Sequence, residues 1–186
     1  MTNALISFGA NLTGRNDNLA SILADVSALL AEFKEITDVL VGRGFRTPAF
    51  PPGSGPDFLN AALSVQTSLG PIELLAALHR IEGEMGRTRT RRWEPRVCDL
   101  DLLAMGDSVL PDRRTVLHWM DLDDVLAMAS APPDLILPHP RLHRRGFVLV
   151  PLADIAPEWR HPILDRTVTQ MLDQIAPADL ADIRPY

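Results

Sequence analysis

Between residues 87 and 101 the chain reads R-T-R-T-R-R-W-E-P-R-V-C-D-L-D, with arginines at 87, 89, 91, 92 and 96 and aspartates at 99 and 101. Guanidinium forks grip phosphate oxygens in pairs, and neighbouring carboxylates bind hard divalent cations, so the segment has the composition of a site for a polyphosphate and its metal. Only Lys34 is a lysine among the 18 basic residues, so phosphate recognition here relies on planar guanidinium groups. The run V-C-D-L-D-L-L-A-M, residues 97–105, reads as a strand. Its period of two puts Asp99 and Asp101 on one face, with Cα atoms roughly 6.6 Å apart at ~3.3 Å per residue. A second polar cluster is P-H-P-R-L-H-R-R-G-F, residues 138–147. His139 and His143 are spaced i, i+4, but Pro140 blocks the helix that would turn both toward one zinc ion, and no third ligand is near.

The elements that must position these groups follow from hydrophobic period and turn chemistry. Residues 4–8 read as a buried strand closed by a Gly9-Ala10-Asn11 turn. Asn16 and Asp17 are candidate N-caps for a helix whose stripe is Leu19, Ile22, Leu23, Val26, Leu29 and Leu30. Residues 36–45 read as a second strand, with Gly42 and Gly44 marking a bulge or bend. The proline-rich run 46–57 is a loop, and residues 58–67 alternate as a strand with Leu59, Ala61, Leu63 and Val65 on the core face. Pro71 opens a helix that buries Leu74, Leu78, Ile81 and Met85, with Gly86 at its C-terminal cap. Gly106-Asp107 reads as a hairpin turn returning through residues 108–110, and Asp121 as the cap of a short helix carrying Leu122, Val125, Leu126 and Ala129. A short strand is expected at 135–137, a helix near Phe147, and a last amphipathic stretch through Val168, Met171, Leu172 and Ile175. The order β-α-β-β-α-β predicts an α+β fold, a ferredoxin-like antiparallel or mixed sheet with helices packed on it.

With 186 residues, 46% of them apolar and 23% charged, the chain suits a single domain over 1–186, with a surface insertion at 111–133. A net charge of −6 argues against a general nucleic-acid or membrane-surface binder. No apolar run is long enough to span a bilayer and no signal-peptide pattern is present, so the expectation is a cytoplasmic monomer. The one cysteine, Cys98, fits a reducing compartment and reads as a small buried apolar side chain. Neither G-x-x-x-x-G-K-[ST] nor G-x-G-x-x-G occurs, so the common nucleotide-binding loops are excluded.

Together the runs G-A-N-L at 9–12, F-R-T-P at 45–48, D-F-L-N-A-A at 57–62, R-I-E-x-x-x-G-R at 80–87, R-W-x-P-R-x-x-D-L-D at 92–101, P-H-P-R at 138–141 and R-G-F-V-L-x-P-L at 145–152 give the chain a family likeness. It resembles the 6-hydroxymethyl-7,8-dihydropterin pyrophosphokinases over most of its length. The resemblance implies transfer of a pyrophosphoryl group from ATP to the pterin hydroxymethyl group, leaving AMP, in folate biosynthesis. It implies Asp99 and Asp101 as ligands of two Mg²⁺ ions, and Arg87 and Arg96 as the arginines nearest the transferring group. His79, Glu82, Arg89, Arg92, His139 and Arg145 are then implied at ATP, and Thr47, Pro48, Phe58, Asn60, Trp93 and Phe147 at the pterin. Glu94 stands where the family commonly has a small residue, and the arginine loop is one residue shorter than in some members. A two-metal nucleotidyl or phosphoryl transferase acting on another substrate would use the same D-x-D and arginines. It would not require Phe58, Asn60 and Phe147. A non-catalytic pterin- or nucleotide-binding homologue would be expected to have lost Asp99, Asp101 or Arg96.

Overall fold

A computed structural model describes residues 1–12, 18–49, 55–86, 97–122 and 132–186. The strands are β1 Thr2–Ala10, β2 Ile36–Val41, β3 Phe45–Thr47, β4 Phe58–Thr67, β5 Asp99–Met105 and β6 Arg184–Pro185. The helices are α1 Leu19–Ala31, α2 Pro71–Glu84, α3 Arg113–Asp121, α4 Gly146–Ile155, α5 Val168–Leu172 and α6 Pro177–Leu180, with a 3-10 turn at Leu142–Arg144. The result is a mixed α/β fold on a six-stranded sheet in which every ladder is antiparallel. The order is β5-β1-β4-β3-β6, and β2 also pairs with β4. β2 and β3 lie end to end along one edge of β4, opposite residues 63–67 and 58–60 respectively.

Alternation along the strands assigns the two faces. Ile6 and Phe8 of β1, Leu59, Leu63 and Val65 of β4, and Leu100 and Leu102 of β5 pack under α1 and α2. These helices contribute Ile22, Val26 and Leu30, and Leu74, Leu78 and Ile81. Each such side chain is worth about 1.5–3 kcal/mol relative to exposure, so this layer is the main source of stability. The opposite face is covered over part of its length only. Leu5, Ala62 and Leu103 lie under Val148, Leu149 and Leu152 of α4 and Val168 and Met171 of α5. A third cluster joins Val116 and Met120 of α3 to Ile136 and Ile163.

Several local expectations change. Gly9 and Ala10 belong to β1 and not to a turn, because Gly9 is paired on two sides, to Asn60 and Asp99, and Ala10 on one, to Leu59. The first helix is capped by Asn18, whose side chain accepts Ser21 N–H at 3.0 Å; Asn16 and Asp17 lie outside the described residues. The strand expected over 36–45 breaks into β2 and β3. The irregularity in the β2 ladder falls between Thr37 and Leu40, where Asp38 has φ +51°, and not at the glycines. Gly44 is needed for close approach, since a Cβ there would meet Leu59 Cδ1 at 2.6 Å. At the bend Arg43 donates its backbone N–H and its guanidinium to Asp154 of α4, at 2.9 and 2.7 Å.

Gly106 makes its turn with φ +53°, but no strand returns along β5. Leu110 and Leu137 exchange hydrogen bonds of 2.8 and 3.1 Å as an isolated bridge, which also replaces the strand expected at 135–137. Pro111 and Pro138 follow the two paired residues and have no N–H with which to lengthen the ladder. Asp121 is the last residue of α3, which Asp112 caps by accepting Thr115 N–H at 3.0 Å; past Leu122, the helix expected after Asp121 lies outside the described residues. Leu122 is extended, and Val125, Leu126 and Ala129 lie outside the described residues. The amphipathic stretch at 168–175 contains α5, stopping at Leu172.

His161 is completely buried. Its Nδ1 accepts the N–H groups of Ile163 and Leu164 at 3.2 and 3.3 Å, so the neutral ring carries its proton on Nε2. Burial, aided by His143, pushes its pKa from 6.5 down to about 4. Between those values the unfolded chain binds a proton that the folded chain refuses, so stability is full above about pH 6.5 and is lost as pH falls toward 4. Thermal melts should show Tm declining over that window, and His161→Asn should flatten the decline; an unchanged slope would clear His161 as its origin.

Candidate functional site

The half of the sheet face that α4 and α5 do not cover carries several of the candidate residues. Cross-strand pairing sets Asp99 of β5 opposite Gly9 of β1, Gly9 opposite Asn60 of β4, and Asn60 opposite Phe45 of β3. One pleat along, Asp101 faces Ser7 and Ser7 faces Ala62. Asp99 and Asp101 therefore share one face, half-buried, while Leu100 and Leu102 point into the core. Gly9 and Ser7 keep the floor between the aspartates and Asn60 low, and a Cβ on Gly9 would already lie 3.4 Å from Asn60 Oδ1.

Glu82 of α2 is buried, and its Oε1 accepts Leu100 N–H at 2.8 Å. Among the described residues β5 is the edge strand on this side, with no further strand there to receive the Leu100 N–H. The carboxylate completes the edge at the residue between the two aspartates. His79, one turn earlier on α2, is exposed.

Past β5 the chain returns beside the same strand, with His139 N–H donating to Leu103 O at 2.8 Å. Arg141 N–H donates to His139 Nδ1 at 3.2 Å, which fixes the Nε2–H tautomer. Burial, then the charges of Arg145 and Arg141, hold the His139 pKa down at about 3, so the imidazole is neutral at physiological pH. His139, Arg141 and Asp101 line a cavity of about 320 Å³ whose apolar walls include Leu75 of α2, Leu102 and Trp119 of α3. Arg141 Nε is buried with no hydrogen-bond partner among the described residues.

At the other end of the open face, Asn60 Nδ2 donates to Thr47 Oγ1 at 2.7 Å, and both residues are buried. That bond orients the amide. Phe58, half-buried, pairs with Thr47 across β3 and β4, and Pro48 is exposed. Phe147, in the first turn of α4, is 42% exposed although it sits on a helix anchored by Val148, Leu149 and Leu152. The Arg145 guanidinium lies 5.5 Å from its ring centroid.

The structure thus brings Asp99, Asp101, Glu82 and His139 around β5, and Thr47, Phe58 and Asn60 together at β3 and β4. Arg145 and Phe147 stand at the start of α4. Arg87, Arg89, Arg92, Trp93 and Arg96, together with Arg91 and Glu94, lie outside the described residues. Their segment leaves α2 after Gly86, at φ +91°, and rejoins the fold at buried Cys98, next to Asp99. Arg141 and the Thr47–Asn60 bond escaped the sequence reading. Arg141 stands in the P-H-P-R run itself, where only the histidine drew attention; the Thr47 bond joins residues 13 apart and leaves no local signature.

Among the described residues no group of three or more His, Cys, Asp or Glu side chains converges to hold a metal. Asp99 and Asp101 supply two hard oxygen donors on an accessible face, the donor set of a cation such as Mg²⁺ that completes its shell with water and phosphate.

A family model described as 7,8-dihydro-6-hydroxymethylpterin-pyrophosphokinase (HPPK) matches residues 5–157. The chain is 34% identical over 167 residues to the 2-amino-4-hydroxy-6-hydroxymethyldihydropteridine pyrophosphokinase of Synechocystis sp., covering 88% of this chain and 75% of that protein. It is 30% identical over 185 residues to the enzyme of that name from Haemophilus influenzae, covering 100% of both. Its fold is similar to that of Plasmodium falciparum HPPK-DHPS wild type with SDX-DHP, with a TM-score of 0.63 at 14% identity over 94% of this chain. This chain spans 43% of that longer one.

Proposed function

The chain belongs to the 7,8-dihydro-6-hydroxymethylpterin-pyrophosphokinase family, and from that premise we propose that the open half of its sheet is where the two substrates meet. The enzyme is an ATP-dependent pyrophosphokinase of folate biosynthesis. It moves the β,γ-pyrophosphoryl group of ATP to the hydroxymethyl oxygen of 6-hydroxymethyl-7,8-dihydropterin. The new bond joins that oxygen to the β-phosphorus, the bond from the β-phosphorus to the α,β-bridging oxygen breaks, the hydroxyl proton is released, and AMP leaves. The observation that carries the assignment of the site is the row Asp99–Gly9–Asn60, which sets a phosphate-side carboxylate and a heterocycle-reading amide on one face of the sheet.

Asn60, held by Thr47, presents its remaining amide atoms to the edge of the pterin, with the Thr47 and Pro48 backbone beside it. Phe58 and Phe147 offer aromatic faces for a flat ring. His139 donates from Nε2 to a phosphate oxygen as a neutral imidazole, while Arg145 supplies the cation. Arg87, Arg89, Arg92 and Arg96 clamp the triphosphate, and Trp93 closes over the site to exclude water. Glu82 acts on the nucleotide side through Leu100, by holding the strand between the aspartates. His79 lies on the same helix toward solvent. Asp99 and Asp101 would hold two Mg²⁺ ions, whose charge offsets that of the phosphates and aligns the displacement.

The order β5-β1-β4-β2 supports a ferredoxin-like reading of the sheet, in which the second strand of the motif is split into β2 and β3. The segment 111–133 is an insertion, and its described part reaches the nucleotide side, where Trp119 stands in the cavity wall. No helix among the described residues is long and apolar enough to cross a membrane. We read the chain as a cytoplasmic, single-domain monomer whose partners are ATP and the pterin; the net charge of −6 argues against nucleic acid as a partner.

The test mixes the protein with Mg²⁺, ATP and 6-hydroxymethyl-7,8-dihydropterin and follows AMP. Formation of AMP that depends on the pterin is expected, and none above the pterin-free control would overturn the assignment.

A further inference from the structure

Residues 177–186 lie beyond the span matched by the family model, yet they touch both elements that carry the pterin residues. On one side β6 pairs with β3 in the register Phe45↔Pro185 and Arg46↔Arg184. Tyr186 N–H donates to Gly44 O at 2.9 Å, and the Arg46 guanidinium stands 5.4 Å from the Tyr186 ring centroid. β3 is only three residues long, so without this partner it would be a short edge strand held by β4 alone. Its last residue is Thr47, whose hydroxyl orients the Asn60 amide.

On the other side the same segment packs on the first turn of α4. A Cβ built on buried Gly146 would lie 2.9 Å from Leu180 Cδ2 and 3.1 Å from Ile183 Cδ1. Gly146 sits between Arg145 and Phe147, so the close fit of Leu180 and Ile183 sets how the α4 N-terminus stands over the sheet.

We propose that residues 177–186 form a strap that fixes the spacing of the two pterin walls, β3 with Thr47 and the first turn of α4 with Phe147, and so set affinity for the pterin more than for the nucleotide. The inference rests on the reading of Thr47, Asn60 and Phe147 as pterin residues. Recognition of a flat ring between two walls requires each to be held within about 0.5 Å. Arg145 shares the α4 N-terminus with Phe147 and moves with it, but Asp99 and Asp101 are on β5, at the opposite edge of the sheet from β6, and His139 lies beside β5, so displacement of the strap leaves those nucleotide-side groups in place. Leu180, Ile183 and Tyr186 are positioning residues: they act through β3 and α4 and are given no contact with substrate.

Two variants test this. Gly146→Ala sets a methyl against the ends of the Leu180 and Ile183 side chains, which must give way, and a chain ending at Ile183 lacks β6 and Tyr186. In each, the KM for the pterin should rise about tenfold, as expected when a binding wall shifts by a fraction of an ångström. In the shortened chain, which keeps Leu180 and Ile183 on α4, the KM for ATP and kcat at saturating pterin should stay within about twofold of wild type; in Gly146→Ala, next to Arg145, the KM for ATP should rise less than that for the pterin. Titration of the pterin in the presence of a non-hydrolysable ATP analogue should show the same tenfold loss in affinity. If the shortened chain does not fold, Gly146→Ala carries the test. Parallel rises in both KM values, or an unchanged pterin KM, would overturn the strap. Wild-type turnover in the same assay separates the two levels: no AMP from the wild type removes the functional reading and the strap with it, whereas normal wild-type turnover with unaltered variants removes the strap alone.

Discussion

Asp99→Asn should lower kcat by about 10³-fold, equivalent to about 4 kcal/mol of transition-state stabilisation, while the protein keeps or gains thermal stability. The two halves of this expectation have one cause. Asp99 and Asp101 project from the same face of β5, and two like charges roughly 6.6 Å apart repel by about 0.6 to 2.5 kcal/mol as the effective dielectric falls from 80 to 20. A cation between the carboxylates relieves that repulsion. Asparagine preserves the shape beside Gly9 and removes the charge, so it removes the cation site and the repulsion together. Assays of AMP formation alongside thermal melts will check both halves. A variant that retains turnover would remove Asp99 as a metal ligand, and one that loses turnover together with a large part of its Tm would make the residue structural.

What could be read from the sequence and what could not divide along a physical line. β4 and α2 were legible because their signals are local: strict alternation from Phe58 to Thr67, and Pro71, Glu73 and Gly86 punctuating a helix whose first N–H, that of Gly70, is met by Glu73 at 2.7 Å. The aspartate pair was legible for the same reason, since a period of two fixes which residues share a face. Gly42 and Gly44 were read as conformational signals, whereas Gly44 makes room for Leu59. Nothing in Arg184-Pro185 announces a strand; it becomes one because β3 offers an open edge. The pairing of Leu110 with Leu137 spans 27 residues, so the turn at Gly106 was assigned the nearest available partner and not the true one. At the site, the motifs named most of the residues, but not the bonds that hold them. Thr47 to Asn60 and Glu82 to Leu100 both cross from one element to another, and each decides what its motif residue does.

Glu82 offers the sharpest separation of those roles. Its side chain is 1% exposed, and it accepts from the backbone of Leu100, itself 2% exposed. In Glu82→Ala the Leu100 N–H loses its acceptor in a buried place, which should cost about 2–3 kcal/mol of stability. In Glu82→Gln the amide oxygen can still accept that N–H, so the loss should stay near 1 kcal/mol, the difference between a charged and a neutral acceptor. Turnover should follow the same order, because releasing Leu100 lets both flanking aspartates move, and a shift of about 1 Å at a reacting centre costs up to about 100-fold. Urea unfolding and AMP kinetics on the two variants will show whether stability and rate fall together in alanine and are both largely kept in glutamine. If glutamine instead matches alanine in rate while keeping its stability, the negative charge itself is what the reaction uses. Glu82 would then act on the bound nucleotide or its cations directly, and its bond to Leu100 would be a matter of fold alone.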